Sequence, residues 1–305
     1  MTKPIRNTDI LNYNSISWDS YTDGPGRRVV LFMQGCDYRC PWCHSPHTRG
    51  QSSGLLFSEA MCSSCRRCEK ICTRRAHTFS GSAHNIRRSE CTGCGLCVTE
   101  CPQSIEGASS AALRIVPRSA SIQDIYHLIS PQLAYCGALT ISGGEPLLQW
   151  KAVQALLSLC KSIGVETAVE TTLTTDEQVV ADLRDFVDLW LVGLRPLYGH
   201  NLHPNVPDPS ITEHNLQLLQ KENVCVRYPV MPGYTDGMAS LARTADIMAQ
   251  TNISKIELLP PNVNVGHYYR EMGKDFILEN HSANVTLDEA VQYFRGRGFQ
   301  VTLIH

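Results

Sequence analysis

At 305 residues the chain is long for one compact domain but suits a single α/β barrel, so one large domain with an insertion fits its length. A net charge of −2, with acids and bases interspersed, excludes the basic stripe that nucleic acid demands and the polybasic patch of a membrane anchor. Neither the N-terminal stretch MTKPIRNTDILNYNSISWDS nor any later segment has the apolar run of a signal peptide or a membrane span, so a soluble cytoplasmic protein is expected. In that compartment the 14 cysteines are expected to bind metal and not to form disulfides, because the glutathione pool reduces them.

Taken in chain order, Arg28 to Met33 is the first apolar strand and runs directly into Cys36, Cys40 and Cys43. The stretch from Thr48 to about Val116 interrupts the pattern. It is rich in Ser, Arg, Gly and Cys and poor in aliphatic residues, so it needs metal to hold it together. From position 120 onward, apolar β-branched runs at Leu139 to Ser142, Val165 to Glu170, Leu189 to Val192, Val224 to Pro229, Ile256 to Leu259 and Val301 to Ile304 read as strands. Leu148, Val153, Leu156, Leu157, Leu159, Cys160 and Ile163 recur at helical spacing, and further helices fit Ile211 to Lys221 and Ser240 to Gln250. Strand, helix, strand repetition implies a parallel sheet.

Cys36, Cys40 and Cys43 form C-x-x-x-C-x-x-C, three thiolates on one loop with no fourth cysteine nearby. A 4Fe-4S cube held by three cysteines leaves one iron open to a substrate, whereas a structural zinc site closes with a fourth ligand, which His44 or His47 could supply. The segment GCDYRCPWCHSP resembles the signature loop of the radical S-adenosylmethionine superfamily, whose open iron chelates the amino and carboxylate groups of that molecule. The resemblance implies that Trp42 packs on the adenine. Ser142-Gly143-Gly144-Glu145-Pro146, between a strand and a helix, resembles the superfamily's GGEP motif, which implies that Gly143, Gly144 and Glu145 bind the amino group. Its glycines would permit close backbone approach to the ligand.

Two further stretches, Thr22-Asp23-Gly24-Pro25-Gly26-Arg27-Arg28 and Arg227-Tyr228-Pro229-Val230-Met231-Pro232-Gly233-Tyr234-Thr235-Asp236, resemble motifs of the activating enzymes for glycyl radical enzymes. Read alone, each is a Pro-Gly turn. The resemblance implies an α/β fold, a partial (β/α)6 TIM-like barrel over residues 1–47 and 117–305. It also implies a 5'-deoxyadenosyl radical that abstracts a glycine α-hydrogen from a partner enzyme, with Asp23 and Gly24 near the partner peptide. Glu170, Thr171 and Arg227 would lie beside the cofactor. Relatives carry D-x-K where this chain has Gly193-Leu194-Arg195, and a histidine where it has Asn262, so another peptide or a small molecule is the alternative substrate.

Cys62, Cys65, Cys68 and Cys72 form C-x-x-C-x-x-C-x-x-x-C, and Cys91, Cys94, Cys97 and Cys101 repeat it with Pro102 following. This resembles the bacterial two-cluster ferredoxin pattern, in which the fourth cysteine of each run serves the other cluster. Residues 48–116 are therefore expected to be a ferredoxin-like insert with two 4Fe-4S clusters. Cys101 would join Cys62, Cys65 and Cys68, and Cys72 would join Cys91, Cys94 and Cys97. With the site cluster this makes three, fed by a flavodoxin or ferredoxin, or serving as a docking platform. Cys136, Cys160 and Cys225 lack metal spacing and are expected in the core.

Overall fold

The computed structural model describes residues 9–50, 54–104, 111–195, 209–262, 265–276 and 283–304. Residues 1–8 of the stretch read for a leader, and 51–53 and 105–110 of the expected insert, lie outside the described residues. The strands are β1 (Ile10–Ser20), β2 (Arg28–Met33), β3 (Gly54–Phe57), β4 (His77–Ser80), β5 (Ala83–Ile86), β6 (Leu113–Val116), β7 (Arg118–Ser121), β8 (Ala138–Gly143), β9 (Glu166–Thr171), β10 (Leu189–Gly193), β11 (Val224–Pro229), β12 (Lys255–Leu259) and β13 (Gln300–Leu303).

One sheet of nine strands has the order β13-β12-β11-β10-β9-β8-β2-β1-β7. β2 and β8 to β13 run parallel, and β1 pairs antiparallel with both β2 and β7. Each parallel strand is added beside the last in one direction. With right-handed crossovers, this winding sends every connecting helix to the same face. Ile125, Ile129 and Leu133 of the helix Ile122–Cys136, Val153, Leu156 and Leu157 of Trp150–Ser162, and Leu241, Ala245 and Met248 of Met238–Gln250 share one core with Leu31, Ile141, Val169, Trp190 and Val226.

Successive side chains of a strand point to opposite faces. The face away from that core therefore carries a thin apolar layer of Ala168, Leu189, Leu191 and Cys225. Beyond it, toward the C-terminal strand ends, the same alternation sets Ser142, Glu170, Gly193, Arg227 and Glu257, with Gly193 paired to Arg227 and Arg227 to Glu257 in register. Cys160 lies in the main core, Cys136 packs against it and Cys225 belongs to the thin layer, as expected for cysteines without metal spacing.

β1 was not expected. Its alternation of Leu11, Tyr13 and Ile16 is broken by register shifts, and its polar Asn14 is buried, donating to the Gln34 side chain at 3.1 Å. A strand so rich in Asn and Ser reads as a loop.

In residues 54–116, β3 pairs with β6 and β4 with β5, joined by two short helices, Arg67–Ile71 and Leu96–Thr99. Their core is small: Leu55, Cys68, Cys97 and Leu113, with Phe57, Ile71, Phe79, Ile86 and Ile115 against it. Arg114 forms a buried ion pair with Glu271 at 2.5 Å, and Arg88 donates to the Glu271 carbonyl at 2.6 Å, tying this segment to the helix Gly266–Glu271. Among the described residues no helix is long and apolar enough to cross a membrane.

Candidate functional site

A cavity of about 630 Å³ opens at the C-terminal ends of the parallel strands, the end where barrel enzymes build their sites. Cys36, Cys40, Trp42, Cys43, Gly143, Gly144, Glu145, Glu170, Thr171, Arg227 and Asp23 all line it. Gly24 does not. With φ of +124° it turns the chain against the buried Arg28 side chain, where an added Cβ would come within 3.1 Å of Cδ.

The cysteine loop follows β2 and is held from both sides. The Gly35 amide donates to the Thr48 carbonyl at 2.7 Å, the Cys36 amide to the Arg49 carbonyl at 3.3 Å, and the Arg49 side chain to the Cys40 carbonyl. Tyr38, Cys40, Trp42 and Met231 form a separate buried cluster, with Tyr234 against Trp42 at 5.2 Å between ring centroids. The Pro-Gly stretch after β11 shapes this cluster: the Met231 amide donates to Thr235 Oγ1 at 2.8 Å and the Gly233 amide to Asp236 at 2.8 Å. That motif thus braces Trp42 from behind.

The glycines of the Gly143-Gly144 turn serve backbone packing. The Gly144 amide donates to the Met33 carbonyl at 2.9 Å and the Glu145 amide to the Gly35 carbonyl at 2.7 Å. A Cβ at Gly144 would strike the Gly35 carbonyl, and one at Gly143 would strike the Met33 backbone. Both glycines thus approach closely the backbone of β2 and of the residue that opens the cysteine loop. The Glu145 carboxylate is likewise spent internally: it accepts from Thr171 Oγ1 at 2.5 Å, Thr172 Oγ1 at 2.7 Å, and the amides of Thr172 at 2.9 Å and Leu147 at 3.1 Å. It ties the end of β8 to the end of β9.

Arg227 sits at the centre of three carboxylates. It donates to Glu257 at 2.7 Å and to the Thr22 carbonyl, pairs with Glu170 at 3.0 Å, and lies 4.0 Å from Asp23. Ser142 also donates to Glu170, at 2.7 Å. Burial pushes the Glu170 carboxyl up, but Arg227 and Ser142 outweigh it and hold the group below its usual range. Asp23 moves the other way, raised by burial and then by the Glu170 charge.

Arg195 stands where the resemblance implied loss of the family lysine. Its guanidinium lies over Tyr38 at 5.5 Å from the ring centroid, within the field of Cys36, Cys40 and Cys43. The cation is thus kept, and an added Cβ at Gly193 would stand 3.4 Å from an Arg195 nitrogen, an ordinary van der Waals contact. Arg195 and Glu257 are site residues that residue-by-residue reading of the sequence missed. The only signal for Glu257 was a lone acid in the apolar strand KIELL.

The donor set is three thiols, with His44 the one imidazole on the cavity wall among the described residues. No fourth cysteine lines the cavity among the described residues. His47 is turned away, stacked on Tyr268 at 4.3 Å, while His44 lines the wall with a buried Nε2 that has no hydrogen-bond partner. Burial pushes the Cys36 thiol up to about 11 and raises Cys40 too, so both are thiols at neutral pH until a metal takes the proton's place. In the segment 54–116, one cavity is bordered by Cys62, Cys65, Cys68 and Cys101, and another by Cys72, Cys91, Cys94 and Cys97.

The model of the radical SAM superfamily matches residues 30–245, which takes in the cysteine loop, the Gly143-Gly144 turn and Arg227. The chain belongs to the radical SAM superfamily. Membership brings with it S-adenosylmethionine and one 4Fe-4S cluster. Among curated relatives, the choline trimethylamine-lyase activating enzyme of Oleidesulfovibrio alaskensis is 29% identical over 96% of this chain and 97% of its own. The isethionate sulfite-lyase activating enzyme of Nitratidesulfovibrio vulgaris is 32% identical over 84% and 85%, and the benzylsuccinate synthase activating enzyme of Thauera aromatica is 29% identical over 93% and 89%. These three relatives are activating enzymes of glycyl radical enzymes.

Proposed function

We propose that the chain reductively cleaves S-adenosylmethionine and that the 5'-deoxyadenosyl radical so made removes an α-hydrogen from a glycine of a partner glycyl radical enzyme. The observation that carries this is the set of three thiols without a fourth, on a cavity shared by the ends of β8, β9, β10 and β11. Cys36, Cys40 and Cys43 would hold the cluster, which when bound supplies the electron that breaks the carbon-sulfur bond.

The remaining roles belong to this chain's own groups. Trp42, buried at 4% exposure and braced by Met231 and Tyr234, offers a rigid face to an adenine. The Gly143-Gly144 turn and the Thr171 end of β9 offer backbone groups to the amino end of the ligand. Glu145 acts from behind by fixing both. Glu170 and Arg227 would meet the polar groups of the ligand, and Asp23 would border the entering peptide, with Gly24 behind it shaping the turn.

The same reading makes residues 1–47 and 117–305 an incomplete barrel. Its support is the sequential parallel order from β2 to β13 and the absence, among the described residues, of pairing between the edge strands β13 and β7. An unclosed barrel leaves an opening for a peptide loop. Residues 48–116 would be a ferredoxin-like insert with two more clusters, supported by two cavities of four cysteines each, drawn from both runs as in two-cluster ferredoxins. A flavodoxin or ferredoxin would supply electrons.

The test is anaerobic incubation of the reduced, reconstituted protein with S-adenosylmethionine, then with a panel of glycyl radical enzymes. 5'-Deoxyadenosine plus a glycyl doublet in electron paramagnetic resonance is expected. 5'-Deoxyadenosine without any partner radical moves the target to another peptide or a small molecule, and no 5'-deoxyadenosine from a loaded, reducible cluster overturns the reading. Iron analysis should give about twelve irons, falling to about eight when Cys36, Cys40 and Cys43 are replaced together by alanine.

A further inference from the structure

Two buried histidines in the insert have no part in the chemistry above. His84, on β5, stacks on Phe79 at 4.3 Å and 11° between planes and meets Phe57 edge-on at 4.5 Å, so its ring orientation is fixed. Its Nδ1 lies 3.5 Å from Cys62 Sγ. Its Nε2 lies 2.9 Å from His77 Nδ1 and 3.7 Å from Cys68 Sγ. His77, on β4, borders the cavity of Cys72, Cys91, Cys94 and Cys97, whereas His84 borders that of Cys62, Cys65, Cys68 and Cys101. The pair spans the wall between the two.

Both rings are buried, which favours the neutral imidazole with one N–H each. One placement of protons then serves two of these contacts: His77 Nδ1–H donates to His84 Nε2, and His84 Nδ1–H donates to Cys62 Sγ, while Cys68 Sγ at 3.7 Å receives no proton from the ring. Although Cys68, His77 and His84 are grouped closely enough to suggest a mononuclear site, the 2.9 Å nitrogen separation is a hydrogen bond. Two nitrogens on one tetrahedral zinc would stand about 3.3 Å apart, given bonds of roughly 2.0–2.1 Å.

We propose that His84, oriented by His77, raises the reduction potential of the cluster at Cys62, Cys65, Cys68 and Cys101 above that of its twin. The proposal rests on the reading of the insert as a two-cluster module. Reduction adds one electron, from an external low-potential donor, to a cluster already negative through its four thiolates. An N–H dipole aimed at a ligand sulfur stabilises the added charge, and hydrogen bonds to the sulfurs are among the determinants of cluster potential. At the twin, no imidazole N–H reaches a cysteine sulfur among the described residues. The first electron delivered to the insert therefore rests on the Cys62 cluster. His84 and His77 are positioning residues that touch no substrate.

The experiment uses the full chain with Cys36, Cys40 and Cys43 replaced by alanine, reconstituted anaerobically and titrated with dithionite under electron paramagnetic resonance. Two one-electron waves are expected. His84→Phe, which keeps a ring between Phe57 and Phe79, should lower the upper wave by about tenfold in the reduced-to-oxidised ratio, about 59 mV, and leave the lower wave in place. His77→Phe should shift the upper wave the same way by less. In the unsubstituted insert, ¹⁵N-histidine labelling should give a weak nitrogen coupling on the signal that develops first. About eight irons with both waves unmoved in His84→Phe, or no ¹⁵N coupling, overturns the tuning role. So does loss of about four irons in that variant, which would make His84 a support of cluster assembly. Fewer than about eight irons in the parent overturns the two-cluster reading itself.

Discussion

Arg227→Met removes the cation that three carboxylates share. Arg227 is 6% exposed, and its partners Glu257, Asp23 and Glu170 are 14%, 15% and 24% exposed, so water replaces little of the lost interaction. Breaking a buried ion pair from one side costs about 3–5 kcal/mol, and here up to three charges are stranded. The pH dependence gives the sign. In the parent, Glu170 has a depressed folded pKa, so its pairing contributes stability above the ordinary value of 4.5 and loses it only as pH falls below. In the variant, burial governs at Glu170 and raises its folded pKa above the unfolded value, and Asp23, already raised by burial, loses the opposing pull of Arg227. Their charge then penalises the folded state at neutral pH, and the penalty fades as pH falls and protons are taken up. A carboxyl that binds a proton throughout the interval from pH 7 to 5 returns at most about 2.7 kcal/mol, at about 1.36 kcal/mol per pH unit. Urea unfolding of the anaerobic protein at both pH values should show a loss of about 3–5 kcal/mol at pH 7 that shrinks by 1 kcal/mol or more at pH 5. A loss below about 1 kcal/mol, or one equal at both pH values, would refute the claim that Arg227 neutralises these acids.

Gly144→Ala should cost about 1–3 kcal/mol, the range for overpacking, because its methyl strikes the Gly35 carbonyl; urea unfolding and the iron content of the site cluster both read this. Arg195→Met should retain full iron content yet weaken S-adenosylmethionine binding about ten- to hundredfold, as expected for a lost charge-assisted hydrogen bond of about 1.5–3 kcal/mol. Equilibrium binding checks it, and a change under about twofold would remove Arg195 from the ligand's surroundings. Thr286→Ala removes the capping box of the helix Leu287–Gly296, far along the chain from the cysteines, and should cost about 1 kcal/mol without changing 5'-deoxyadenosine yield.

The parts written in covalent spacing were legible from the residues alone. Three cysteines within one loop, and two runs of four, announce metal whatever the fold does around them. Strands β2 and β11 were read to the residue, because apolar β-branched runs bounded by Gly or Pro leave little else to form. β1 escaped because its buried Asn14 and register shifts break the alternation. Glu257 and Arg195 escaped for another reason: one is a single acid inside an apolar strand and the other a single base just beyond one, and only the parallel register brings Arg227 opposite Glu257 and Gly193 opposite Arg227. Gly143 and Gly144 were recognised as special, and the structure adds the neighbours a sequence could not name, the backbone of Met33 and Gly35.

The two arginines of the cavity divide the electrostatic work. Arg227 already has Glu170, Glu257, Asp23 and the Thr22 carbonyl around it, so a ligand carboxylate could reach it only by displacing one of these. Arg195 is turned instead to the Tyr38 ring and the thiols, with its charge opposed by groups that an iron cluster would convert to thiolate. The longer and planar guanidinium at 195 brings a bidentate donor where lysine offers a single point of charge. A zwitterion laid between Arg195 and the acids around Arg227 would meet charge of opposite sign at each end. On that reasoning Arg195 sets a cation beside the three thiols, opposite the acids around Arg227.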